Sequence, residues 1–175
     1  MEYLDKTELR RLFNVAYDSN KLHHLALLVG LWHGGRVSEV ISLTGKDVFD
    51  GKIRLKRLKG SLTTCQPIHI DKDILFDESP ILHLATTKGD IRLFPFSRQR
   101  VDQFIKYYAK KAGIHESKAH FHALKHSISM LLWAETKDLG QLQNYLGHKS
   151  ASSSLIYLRE TDATKAQKAI AGIKI

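Results

Sequence analysis

Cysteine is nearly absent: the 175-residue chain has one, Cys65, so an intramolecular disulfide and a cysteine-based zinc site are both excluded. Proline is scarce, with only Pro67, Pro80 and Pro95 to break local structure. Long apolar runs are missing too. The stretch "LALLVGLW" falls far short of the roughly 20 residues that cross a bilayer, and the acidic, polar opening "MEYLDKTELRR" is unlike a signal peptide. There is no repeat and no low-complexity segment. The expectation is a soluble intracellular chain with no membrane partner, long enough for one well-buried core and read as one domain over 1–175.

Acidic residues are also short. Eighteen aspartates and glutamates face 27 lysines and arginines, a net charge of +9, and the basic residues run from Arg10 to Lys174. A positive surface gains free energy by releasing counterions from phosphates, so a nucleic acid is a candidate partner beside the plainer reading of a solvated basic surface.

Periodicity predicts a mainly α chain with a small antiparallel sheet (α+β). "DKTELRRLFNVAYD" carries Leu9, Leu12, Phe13 and Ala16 on one stripe behind an N-cap at Asp5 or Thr7. A more buried helix, "LHHLALLVGLWHG", ends near Gly34 and Gly35, and "RVSEVISL" supplies a short third. Alternation in "KIRLKRL" and "CQPIHI" predicts two antiparallel strands around the turn "KGSLTT". A helix is expected within 71–86, a third strand at "IRLF", and a helix over "SRQRVDQFIKYYAKKAG" closed by Gly113. Further helices are expected near 122–135, 138–146 and 150–158, with a last one at "DATKAQKAIAG".

Four local patterns carry chemistry. In "HGGRVSEVISL", Arg36 follows a glycine pair at a helix start, where its fork and the helix N-terminus can both face a phosphate, although a surface arginine after a helix-ending glycine has the same pattern. In "LKRLKGSLTT", Lys59 sits at a turn from which it can protonate a leaving oxygen, with Lys56 as competitor and a solvated turn as the plain reading. In "HFHALKHSISMLLW", His122, Lys125 and His126 stand three and four residues apart on one helical face. That spacing suits zinc, but there is no "HExxH" and no carboxylate lies between the histidines; the plain reading is a helix terminus with hydrogen-bonded histidines. In "LQNYLGHKSASSSLIYLRE", His148 follows a helix-ending glycine and Tyr157 comes nine residues later, a core or surface aromatic if it stands alone.

Taken together these segments resemble the catalytic domain of the tyrosine recombinase, or phage integrase, family. The resemblance runs from "YLDKTELRRLF" through "GGRVSEVISLTGKDV", the Lys59 hairpin, "FHALKHSISMLLW" and "YLGHKS" to "SSSLIYL". It implies a site-specific DNA recombinase or integrase in which Tyr157 attacks the scissile phosphate to give a 3′-phosphotyrosyl link. It further implies that Arg36 holds the nonbridging oxygens, Lys59 protonates the 5′-hydroxyl, and His122 and His148 supply hydrogen bonds or proton transfer. Glu39 and His126 support the site, and no metal or cofactor is implied. Lys125 stands where the family usually has the second arginine of "HxLRH", keeping the charge without the bidentate fork.

The implied partners are double-stranded DNA, further copies of the chain as a dimer or tetramer on that DNA, and accessory recombination proteins, in the cytoplasm or on the nucleoid. The sequence begins where the family's catalytic domain normally begins, so no N-terminal core-DNA-binding domain is expected. Residues 159–175 are expected to form a tail or helix that docks on a neighbouring protomer. A DNA-binding relative that assists another recombinase, and a relaxing topoisomerase of the same chemistry, are the other readings.

Overall fold

Local signals set the first two helices. Helix α1 (Lys6–Ser19) starts with a reciprocal cap: the Asp5 carboxylate accepts from the Glu8 N–H at 2.8 Å, and the Glu8 carboxylate accepts from the Asp5 N–H at 2.9 Å. Its stripe of Leu9, Leu12, Phe13 and Ala16 is buried as the spacing predicts. Asn20 ends α1 and starts α2 (Lys21–Trp32), its side-chain oxygen accepting from the N–H groups of Leu22 and His23. Residues 23 to 31 of α2 are all buried, so this helix is the axis of the core. The computed structural model describes residues 2–150 and 152–159, the last three by backbone alone; the expected helix "DATKAQKAIAG" lies outside the described residues.

The rest of the chain packs around α2. A short α3 (Val37–Ile41) leads to strands β1 (Val48–Phe49), β2 (Lys52–Leu55) and β3 (Thr64–Pro67), an antiparallel sheet in the order β1-β2-β3. Ile53 pairs with Gln66 and Leu55 with Thr64, which turns Ile53 and Leu55 into the core, both fully buried. Helices α4 (Pro80–Lys88) and α5 (Arg98–Lys111) follow, then α6 (Phe121–Thr136), α7 (Leu139–Leu146) and α8 (Ser152–Arg159).

Two expectations need correction. "IRLF" forms no strand: it meets Leu43 and Thr44 through a single bridge between Thr44 and Arg92 and the Leu93 N–H to Leu43 carbonyl bond, and Pro95 follows at once. The third strand is the two-residue β1 instead. The helix expected within 71–86 begins only at Pro80, because Asp71, Asp73 and Asp77 accept from nearby backbone N–H groups and hold the preceding segment in turns.

Helix α6 is placed by close contact. The Phe121 ring lies against Gly30, where an added Cβ would collide with it, so only a glycine there lets α6 approach α2 this closely. A smaller apolar cluster of Met130, Trp133, Leu142 and Leu146 joins α6 to α7. Among the described residues no helix is long and apolar enough to cross a membrane.

Candidate active site

Arg36 occupies the N-cap position of α3, immediately after the Gly34–Gly35 turn. Glu39 holds it at both ends: the Arg36 N–H donates to one carboxylate oxygen at 2.8 Å, and its Nη1 donates to the other at 2.7 Å. The Glu39 side chain is fully buried. Burial alone would raise its pKa, but hydrogen bonds from Arg36 and the Leu58 N–H, together with the Arg57 charge, outweigh burial and hold it below the usual carboxylate value.

Lys59 stands in the exposed β2–β3 turn in left-handed conformation (φ 56°), followed by Gly60 at φ 74°. The far side of the turn is tied down, with the Leu62 N–H donating to the Gly147 carbonyl at 2.8 Å. That bond joins the Lys59 loop to the corner that presents His148. Gly147 closes α7 in the left-handed region (φ 68°), and the next residue, His148, is turned inward. The His148 N–H donates to the Gln143 carbonyl, Gln143 Nε2 donates back to the His148 carbonyl, and Nδ1 lies 2.9 Å from the buried Ser154 hydroxyl. Burial, then the charges of Lys125, Arg36 and Arg57, push the His148 pKa down to about 4, so the ring is neutral at pH 7.

Helix α6 contributes one face. His120 caps it by accepting from the Ala123 N–H, leaving His122 exposed in the first turn. Partial desolvation of its ring in the cavity wall, then Lys125 and Arg36, lower the pKa of His122; burial, then His122, bring that of His126 to about 4. The two rings meet edge to face at 4.4 Å. Lys125 is 2% exposed and its Nζ has no hydrogen-bond partner among the described residues. Burial first, then the charges of Arg36 and Arg57, lower its pKa to about 8, with Glu39 opposing.

Arg36, Lys59, His122, Lys125, His126 and His148 line one cavity of about 350 Å³, together with Ser153 and Ile156 of α8. Of the eight residues singled out by sequence, these six meet there and Glu39 lies beneath Arg36. The eighth, Tyr157, falls on α8 one turn after Ser153, and its side chain lies outside the described residues. Among the described residues no carboxylate lines the cavity, and no three histidine, cysteine, aspartate or glutamate side chains are grouped to hold a metal ion. A buried ammonium with no partner among the described residues, beside a guanidinium and a neutral histidine, suits an oxyanion and stabilises negative charge that develops on one.

Sequence reasoning missed two residues. Ser154, which positions the His148 ring, was hidden in a run of serines. Arg57 is fully buried against Glu39, and the signal that could have found it is its inward parity with Ile53 and Leu55.

The profile of the phage integrase family matches residues 2–164. Tyrosine recombinase XerH of Campylobacter jejuni is 26% identical over 168 residues, which covers 89% of this chain and 48% of that protein. A crystal structure of XerH site-specific recombinase in a post-cleavage complex with a palindromic difH substrate superimposes with a TM-score of 0.76 at 20% identity, over 98% of this chain and 53% of that one. The catalytic domain of bacteriophage HP1 integrase superimposes with a TM-score of 0.70 at 21% identity, over 98% of this chain and 95% of that one. The chain spans about half the length of the curated relatives it matches. With a family match over almost all of its length, and the same fold as that catalytic domain, the chain belongs to the phage integrase family.

Proposed function

We propose that this chain is the catalytic domain of a site-specific DNA recombinase that cuts and rejoins strands through a tyrosine. The observation that carries the reading is the cationic cavity itself, with Arg36, Lys59 and Lys125, unpartnered among the described residues, around a space with room for a phosphodiester. In the forward step the Tyr157 hydroxyl oxygen bonds to the scissile phosphorus and the bond from phosphorus to the 5′-oxygen breaks. The tyrosine proton passes to His122, whose depressed pKa leaves it neutral and able to accept. Lys59 gives its proton to the departing 5′-oxygen. With Nδ1 of neutral His148 accepting from Ser154, its Nε2 carries the proton and donates to a nonbridging oxygen, beside Arg36 and Lys125.

The product is a 3′-phosphotyrosyl link and a free 5′-hydroxyl. Attack by a 5′-hydroxyl on the same phosphorus reverses the step, so rejoining takes no external energy source. The DNA duplex would run over the cavity and along the adjoining groove between the starts of α5 and α6, which carries Arg98 and His120. Strand exchange needs two duplexes, so self-association on DNA, with residues 159–175 docking on a neighbour, and help from accessory proteins belong to the same proposal.

A nicked duplex library of randomised sequence tests it. A covalent protein–DNA adduct that disappears in Tyr157→Phe is expected. Salt-dependent DNA binding with no adduct would instead make the chain a binding relative that assists another recombinase.

A further inference from the structure

Arg57 reaches across three segments at once. Its Nε donates to Thr64 Oγ1 at 2.9 Å, Nη1 to the Gly34 carbonyl at 3.0 Å and to Glu39 at 3.4 Å, and Nη2 to the His33 and Tyr145 carbonyls at 2.7 and 3.4 Å. The first two carbonyls close α2 just before Arg36. The third closes α7 just before Gly147 and His148, and Arg57 itself stands two residues before Lys59. Glu39, which grips Arg36, completes the link by accepting from the Leu58 N–H at 2.9 Å. The pair is buried on both sides, an arrangement that apolar residues of similar volume often match in stability, so a net gain in stability alone is a weak account of its presence.

We propose that Arg57 is a positioning residue of the site: it touches no phosphate, but fixes the segments that carry Arg36, Lys59 and His148 relative to one another. The inference rests on reading the cavity as a phosphodiester-cleaving site. A planar guanidinium suits the task because its five donors point outward in one plane, toward partners on different segments. A lysine keeps the charge but serves fewer of them at a time.

Arg57 also acts by charge. It faces Lys125 and His148, and its positive charge helps keep both pKa values low. Among the described residues, the other charged or titratable groups around Lys125 are Arg36 and Glu39 from α3, His122 and His126 from α6, Lys59 from the hairpin turn, and Lys149 from the corner after α7. Removing the Arg57 charge therefore moves the pH profile as well as the rate, which a role confined to holding the fold together does not do.

The test compares full-length wild type with Arg57→Lys and Arg57→Met by adduct formation on the nicked library, DNA affinity, urea unfolding and calorimetric binding of inorganic phosphate. In folded Arg57→Lys, adduct formation falls by about 10²-fold, the scale expected when reacting groups shift by about 1 Å. DNA affinity stays within about threefold, since backbone contacts dominate it. In Arg57→Met the alkaline fall in the second-order rate moves to higher pH, because Lys125 holds its proton longer.

Unchanged adduct rates in folded variants overturn the proposal, and so does a loss of activity that matches the loss of folded protein in both. If wild type itself forms no adduct, the recombinase reading fails, and phosphate binding then decides on Arg57. A drop of about tenfold in phosphate affinity for Arg57→Lys, equivalent to one misplaced contact, keeps its positioning role. Unchanged phosphate affinity removes it.

Discussion

Replacing Lys125 by methionine is expected to make the protein more stable at pH 7 and less active. Lys125 is 2% exposed, its ammonium has no hydrogen-bond partner among the described residues, and it feels the charges of Arg36 and Arg57. Its pKa falls from 10.5 to about 8, and at about 1.4 kcal/mol per pH unit this burial costs the fold about 3 kcal/mol while Lys125 is charged. Methionine fills a similar volume without charge, so the expected gain is about 1.5–3 kcal/mol once relaxation is allowed for. For a chain of this size that is about 4–10 °C in Tm.

The sign depends on pH. Below about 8 both folded and unfolded chains hold the proton and the cost is complete; between about 8 and 10.5 only the unfolded chain holds it, so wild-type stability rises relative to the variant; above 10.5 the cost is gone. Urea unfolding of both proteins at pH 7 and pH 10 measures this, and groups that titrate in both cancel in the difference. Millimolar inorganic phosphate should narrow the gap at pH 7 by binding only the charged site. A methionine variant less stable than wild type at pH 7, or a gap of the same size at pH 10, would refute the reasoning.

Lys125→Arg should raise the rate of adduct formation by about tenfold or more, because a bidentate fork fixes two phosphate oxygens where an ammonium fixes one; single-turnover gels read the change. Gly147→Ala should cost at least about 1–2 kcal/mol from its left-handed backbone alone, and more because the new Cβ collides with the Leu62 carbonyl, with adduct formation falling as His148 is displaced. Acid should destabilise the wild type between pH 6.5 and about 4, where the unfolded chain takes up a proton that folded His148 refuses. In His148→Gln that fall should shrink by up to about 3 kcal/mol, measured as urea midpoints at pH 7 and pH 4.5.

What the sequence made legible was what neighbouring residues decide. An N-cap at Asp5 or Thr7, the Leu9 to Ala16 stripe and the alternation of β2 each need only a few consecutive residues; the cap falls on Asp5, the stripe is buried as read, and the strand is shorter than read, ending at Leu55. The "IRLF" segment had strand composition, but whether it pairs depends on what the distant Leu43–Thr44 segment offers, and that is a single bridge. Composition could not carry that information.

The site divides in the same way. Arg36, Lys59, His122, Lys125 and His148 were legible as a set through the family resemblance of the segments that carry them, and the structure brings those segments to one cavity. The burial of Lys125 was not legible, since it follows from α2 and α7 packing on α6, and neither was the fivefold grip of Arg57. Parity with Ile53 and Leu55 pointed Arg57 inward; the Glu39 carboxylate, the Thr64 hydroxyl and the three carbonyls waiting there explain why a guanidinium is tolerated.

The nucleophile is the claim on which the account turns, and peptide mapping reads it directly. Full-length protein is trapped on the nicked duplex library, the DNA is trimmed with nuclease, and the protein is cut with trypsin, which should release residues 150–159 between Lys149 and Arg159. The account predicts that this peptide alone carries a nucleotide, joined through a 3′-phosphate to Tyr157, and that Tyr157→Phe carries none. A nucleotide on any other residue, or an equal yield of adduct from Tyr157→Phe, would contradict it.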